Sequence, residues 1–235
     1  MKKLLPHKAY GSIGHLPGSC VRRGDHYVPE GQARIATRMP RDSHDYVIVQ
    51  EKLDGSCVAV AKVDDVLHCL TKNGNYCTES PYEQHQMFAV WMLQNFDRFY
   101  DTLHEGERIV GEWLAQAHST VYKPFPGWEP FVPFDLMTCH YRVPFDEFRE
   151  RTIDVFQQPP LLSTGPACTL VRAQLLTNGG QSFYGGEEAE GFVWRVERKG
   201  EVDFLCKWVH PGYDPGKLVP GFNSDVKEPV WNWRP

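Results

Sequence analysis

No stretch of this 235-residue chain approaches the ~20 consecutive apolar residues that span a bilayer. The opening MKKLLPHKAYGS starts like a signal peptide, but Pro6, His7 and Lys8 cut off any apolar core, so a cytoplasmic protein is expected. The seven cysteines contain no C-x-x-C pair and are odd in number. That argues against structural zinc or a disulfide framework and for free, mostly buried thiols. Cys139 beside His140 supplies two adjacent ligands, which do not make a metal site. Positive charge is not in excess either, and a net charge of −5 argues against a protein that coats nucleic acid by charge alone. No repeat, low-complexity tract or linker divides the chain. Its composition, 41% hydrophobic and 23% charged, is that of one soluble globular domain.

What charge there is sits unevenly. Residues 1–52 carry nine Lys or Arg against five acids, leaving about −9 for the rest. Arg22, Arg23, Arg34, Arg38 and Arg41 are candidates for a phosphate-facing patch, or for a solvated basic lobe. Residues 1–44 are punctuated by Gly and Pro and read as irregular with short strands. DYVIVQE (45–51) reads as a strand, and CVAVAKV and VLHCLT around Asp64-Asp65 as a hairpin. Residues 80–103 read as the clearest helix, with Ser80, Pro81 and Glu83 as a capping box and Phe88, Met92, Phe96, Phe99 and Leu103 as one apolar face. Strand-like runs follow at 107–114 and 130–137, helices at 145–157 and around 166–177, and a late hairpin turns at Lys199-Gly200. Strands dominate without βαβ alternation, which predicts an α+β domain with largely antiparallel sheets.

Between two apolar strand-like runs stands EKLDGS (51–56), which places Glu51, Lys52 and Asp54 at the edge of a core. Charges there cost free energy unless something uses them. The arrangement suits an amine held at the mouth of a cleft between sheets. A lysine buried there has a lowered pKa, because desolvation disfavours the ammonium, and a neutral amine is a nucleophile toward a carbonyl or a phosphorus. Taken alone, the motif reads equally as a surface lysine in a turn.

The remaining motifs change that. EKLDGS, TKNG (71–74), VGEWL (110–114), PFVPFDLM (130–137), EGFVWR (190–195) and FLCKW (204–208) stand in order. Together they resemble the collinear motifs of the covalent nucleotidyltransferase superfamily of polynucleotide ligases and mRNA capping enzymes. The match covers about residues 45–208. Its detail is similar to ATP-dependent RNA ligases of the phage type-2 and RNA-editing kind, in a minimal form without an OB-fold. The resemblance implies a single nucleotidyltransferase (ATP-grasp-like) domain over 1–235, with residues 209–235 as a tail packed upon it.

It also implies roles for particular residues. Lys52 becomes the AMP-linked lysine, and Lys207 binds the α-phosphate. Glu190 holds Mg²⁺ or Mn²⁺, with Glu112 and Asp54 as further metal or nucleotide contacts. Lys72 contacts ribose or an incoming phosphate, and Glu51 lies near the base edge. Phe131 stacks on adenine; of Phe131 and Phe134 it is favoured because it shares a strand face with Asp135. Two departures stand out. Leu205 occupies a place where close relatives carry a second lysine, so a phosphate contact is missing or comes from Arg195 or an N-terminal arginine. Cys57 replaces an asparagine that helps sealing.

The implied activity joins RNA 5′-phosphate and 3′-hydroxyl ends with ATP, through lysyl-AMP and an adenylylated RNA end. A repair-complex partner protein is possible in place of the absent domain. The alternatives are GTP-dependent RNA capping, a non-catalytic RNA-end-binding repair subunit, and a Schiff-base lysine enzyme that carbonyl trapping would reveal.

Overall fold

The computed structural model describes residues 3–177, 179–185 and 188–235; Met1 and Lys2 of the signal-like start lie outside them. Among the described residues ten strands form two five-stranded sheets. The first contains, in order across the sheet, β1 (Gly14–His15), β10 (Glu201–Val209), β9 (Gly191–Arg198), β2 (Asp45–Lys52) and β8 (Leu161–Gly165). The second contains β4 (Val66–Thr71), β3 (Ser56–Val63), β5 (Glu107–Trp113), β6 (Phe131–Thr138) and β7 (Tyr141–Arg142). All pairings are antiparallel except β1 with β10.

Side chains alternate between the two faces of each strand, and this sorts the core into layers. Val47, Val49, Phe192, Trp194, Cys206 and Trp208 leave the first sheet on one side. There they pack on α1 (Glu30–Thr37) and α5 (Leu170–Leu176). Val58, Val60, Ile109 and Trp113 leave the second sheet toward α2 (Glu83–Gln94), α3 (Phe96–Thr102) and α4 (Phe145–Thr152). The two inner faces meet around a cleft. The second sheet's inner face carries the small Ala59 and Ala61, and Ala9 and Tyr10 of the N-terminal segment pack against it.

Several local expectations differ from the structure. The long helix is broken at Asn95, whose side-chain amide donates to the Trp91 carbonyl at 2.9 Å and whose ψ of 27° leaves the helical range. A short polar side chain competes with the helical ladder in this way. No capping box forms either: the helix begins at Glu83, and the Ser80 hydroxyl meets His85 Nδ1 at 2.7 Å. The segment expected to be irregular contains α1, led in by Pro29 and anchored by buried Ala33, Ile35 and Ala36. The helices foreseen over 145–157 and 166–177 are shorter, and Thr169 caps the second by accepting from Arg172 N.

The tail folds back along residues 114–123. Asn232 bonds the backbone of Leu114 and Tyr122, and the Trp233 ring meets Trp113 edge-on at 5.7 Å. Among the described residues no helix is long and apolar enough to cross a membrane.

Candidate active site

A cleft of about 310 Å³ lies between the inner faces, and Lys52 reaches it from the end of β2. Gly55 follows in the turn, where any Cβ would run into the Trp113 carbonyl oxygen. The bare backbone lets the loop lie against β5, and Gly55 N donates to Glu112 Oε1 at 3.1 Å. From the neighbouring strand of the same sheet Glu190, just before Gly191 of β9 that pairs with Lys52, brings Oε2 to 2.5 Å from Lys52 Nζ. Asp54 is held by the neighbouring loop, its Oδ2 accepting from Ser119 N at 2.7 Å and Thr120 N at 3.0 Å.

These neighbours reverse the expectation for Lys52. Burial alone lowers its pKa, but Glu190, Glu112 and Asp54 together outweigh burial and raise it above the ordinary lysine value. The ammonium is therefore favoured among these carboxylates. Glu112 and Glu190 are each pushed up to about 7, first by burial and then by the other carboxylates, against the pull of Lys52. One ammonium is not enough for three carboxylates.

Lys207 faces the same cleft from β10, and its ammonium makes no hydrogen bond or ion pair among the described residues; burial and then Lys52 lower its pKa. Lys72 and Cys57 also line the cleft, and the Cys57 thiol is pushed up, first by burial. Glu51 is buried with both oxygens engaged, by Ser182 Oγ and by Phe183 N at 3.0 Å, and burial raises its pKa.

Phe131 does not reach the cleft. It is fully buried in the aromatic core with Phe88, Trp91 and Phe99 on the helix side of the second sheet. The cause is a register shift: Val110 pairs with Asp135 but Gly111 pairs with Pro133, so Phe134 is an extra residue in β6. Such a bulge breaks the alternation, so Phe131 and Asp135 leave on opposite faces. Phe134 lines the cleft instead, with Tyr10 edge-on at 5.2 Å.

Arg195 also lines the cleft but is fully committed, to Asp135 Oδ1 at 2.5 Å, Glu197 Oε1 at 2.6 Å and the Val143 carbonyl. It cannot supply the phosphate contact missing at Leu205. Nor do the N-terminal arginines converge. Arg22 donates to the Pro215 carbonyl at 2.5 Å, Arg41 bonds Asp45 and Asp203, and Arg34 and Arg38 line a separate groove beside α5.

The RNA ligase family model matches residues 45–209, well over half of the chain and the whole span that carries these side chains. The chain belongs to the RNA ligase family. No curated protein is matched. Among solved structures it is similar to an archaeal ATP-dependent RNA ligase, at 20% identity and a TM-score of 0.53, over 85% of this chain and 48% of that one. It is also similar to a Naegleria gruberi RNA ligase mutant with ATP and Mn, at 15% identity and a TM-score of 0.57, over 89% and 62%. These likenesses carry the fold, an α+β nucleotidyltransferase domain. The chain spans about half to three-fifths of the length of those ligases.

Sequence reasoning missed several residues of this cleft. Tyr10, Gly11 and Ile13 come from the stretch before β1, and Gln50 stands beside Lys52 on β2. Gln50 carried a signal, the two-residue period counted back from Lys52, and the other three carried none. Tyr213 was missed as well: its hydroxyl lies 3.1 Å from Thr120 Oγ1, so the tail braces the loop that holds Asp54.

Among the described residues no three His, Cys, Asp or Glu side chains are grouped closely enough to hold a metal unaided. The donors present are two buried carboxylates with raised pKa, short of positive charge. That set fits a hard divalent cation of the Mg²⁺ kind, which takes one or two carboxylates and completes its shell with phosphate and water oxygens.

Proposed function

We propose that this chain is an ATP-dependent RNA ligase that works through Lys52. The observation that carries the reading is the convergence of Glu190, Glu112 and Asp54 on one half-buried lysine, in a cleft that also presents Lys207 and Lys72. Phe134 and Leu205 give the same cleft an apolar wall suited to a base.

In the first step Lys52 Nζ forms a bond to the α-phosphorus as the bond to pyrophosphate breaks. Glu190 Oε2, the carboxylate oxygen bonded to Nζ, is placed to take the proton. Lys207 stands as a fixed positive charge for the α-phosphate oxygens. A divalent cation held by Glu190 and Glu112 supplies positive charge where the phosphates gather. In the second step an RNA 5′-phosphate oxygen attacks the same phosphorus, the N–P bond breaks and Lys52 regains a proton. In the third, a 3′-hydroxyl attacks the RNA phosphate, AMP departs and a phosphodiester bond closes. Asp54, pinned by Ser119 and Thr120, keeps the Lys52 loop in place throughout.

The test is to incubate the protein with ATP labelled at the α-phosphate and Mg²⁺, then denature it. Wild type is expected to retain an acid-labile, base-stable label, and Lys52→Ala none. Absence of label on wild type, or equal label on both, refutes the reading. Adding RNA with 5′-phosphate and 3′-hydroxyl ends should discharge the label and yield joined product, and GTP should not replace ATP.

A further inference from the structure

The registers place one more polar side chain in the row that holds Lys207. Gln50 pairs with Val193, Val193 with Lys207, and Lys207 with His15, across β2, β9, β10 and β1. Directly paired residues put their side chains on the same face of a sheet. His15 therefore stands beside Lys207 on the inner face, although only 2% of it is exposed. Leu205 and Ile13, one row along, are apolar, so His15 is the nearest polar neighbour of Lys207 toward the β1 edge.

Ser19 Oγ accepts from Val209 N at 2.9 Å and lies 2.7 Å from His15 Nδ1. Nε2 faces the Asp25 carboxylate, which would repel a lone pair there, so the ring proton is assigned to Nε2 and Nδ1 accepts from the Ser19 hydroxyl. Burial and the nearby Lys207 lower the His15 pKa to about 4, so the ring is neutral at physiological pH. Nε2 is buried without a hydrogen bond: Asp25 Oδ2 lies 3.3 Å away, off the line of one. Asp25 is anchored by Arg22 N at 3.0 Å and feels the charges of Lys207 and Lys72. A half-satisfied donor beside a lysine, covered by a partly exposed carboxylate, is an anion position with a substitute in it.

We propose that His15 and Asp25 form an exchangeable anion site at the phosphate end of the cleft. In the free protein the Asp25 carboxylate stands against His15 and Lys207. A phosphate oxygen of the bound substrate displaces it and receives the His15 Nε2 proton as a hydrogen bond, the contact that Leu205 cannot make. The inference rests on the ligase reading for its substrate, but binding tests it without any covalent step.

The experiment is a calorimetric titration of wild type, Asp25→Asn, His15→Gln and His15→Ala, each shown to be folded by its melting transition. The probes are inorganic pyrophosphate, and a short RNA with a 5′-phosphate beside its 5′-hydroxyl twin. Removing the competing carboxylate in Asp25→Asn should tighten binding of a phosphate probe by roughly three- to tenfold. His15→Ala should weaken the same probe by about tenfold, while His15→Gln, which keeps a donor near the Nε2 position, should stay within about threefold. Tightening for pyrophosphate assigns the site to the nucleotide; tightening for the 5′-phosphate RNA alone assigns it to the RNA end. Unchanged or weaker binding of both probes by folded Asp25→Asn overturns the proposal, whether or not the His15 variants fold. Equal losses in His15→Gln and His15→Ala overturn the donor role. A protein that labels with ATP yet shows no Asp25 effect keeps the ligase reading and loses this one.

Discussion

Asp135 ties the two sheets together, and changing it to asparagine measures what that tie contributes. The carboxylate is fully buried in β6 and receives three donors: Tyr10 OH at 2.8 Å, Arg142 Nε at 3.1 Å and Arg195 Nη1 at 2.5 Å. Arg195 comes from β9 of the other sheet, so the ion pair crosses the closed end of the cleft. Asparagine keeps the shape but offers one acceptor oxygen and turns an amide donor toward one of three incoming donors. Breaking a buried pair by removing one partner costs about 3–5 kcal/mol. Glu197 still neutralises Arg195 through its 2.6 Å bond to Nε, and Arg142 has some access to water, which places the expected loss near the lower end.

A loss of about 3 kcal/mol is a large part of the 5–15 kcal/mol that holds a domain folded. Urea unfolding followed by tryptophan fluorescence should show it as a midpoint lowered by roughly 1.5 M, with an m-value near 2 kcal/mol/M unchanged by the substitution. The double variant Asp135→Leu with Arg195→Met should lose less than the two singles summed, because it removes both charges together. A single-variant loss below about 1 kcal/mol with m unchanged would refute the reasoning.

Other outcomes follow from the same geometry. Phe131→Ala should cost about 3–5 kcal/mol of stability, whereas Phe134→Ala should leave the melting temperature nearly unchanged and raise the ATP KM by roughly tenfold; the reverse pattern would restore Phe131 to the site. Tyr213→Phe should slow adenylylation by about fivefold with stability held within about 1 kcal/mol, checked by the rate of lysine labelling and a parallel melt. Burial, with Lys207 and Lys52 and against the pull of Asp25, holds His15 to about 4 in the folded chain against an ordinary 6.5. The unfolded chain therefore binds the proton more readily, so this contribution is complete above pH 6.5 and is lost as pH falls toward 4. Its size is at most about 3 kcal/mol, and His15→Gln should flatten that part of a stability–pH curve.

Much of this was legible in the sequence because strand alternation and motif order are local properties. EKLDGS, GEW and FLCKW each place a charged residue where a strand enters or lines a core, and the fold brings Lys52, Glu112, Glu190 and Lys207 to one cleft. What was not legible depends on contacts that the period cannot register. One inserted residue in β6 exchanges Phe131 for Phe134. The pKa of Lys52 was expected to fall from burial alone, yet it is set by carboxylates 60 and 138 residues away in sequence. Arg195 looked free in EGFVWR, because its partners Asp135 and Val143 belong to another sheet and its edge.

The charge distribution of the cleft also bears on which ligands suit it. At one end the carboxylates of Glu190, Glu112 and Asp54 share a single ammonium, Lys52. At the other end Lys207 and Lys72 stand with Asp25, a partly exposed carboxylate, and Lys207 also feels Glu190. A free divalent cation improves the first end and a free polyphosphate the second. Each leaves the other imbalance in place, and each must displace a resident charge of its own sign or wait for one to move. On the proposed ligase reading, a cation–triphosphate complex would answer both at once, the carboxylates facing the cation and the lysines the phosphates. Lys52 would then lose the surplus of negative charge that keeps it an ammonium, and would become a nucleophile only with its substrate in place.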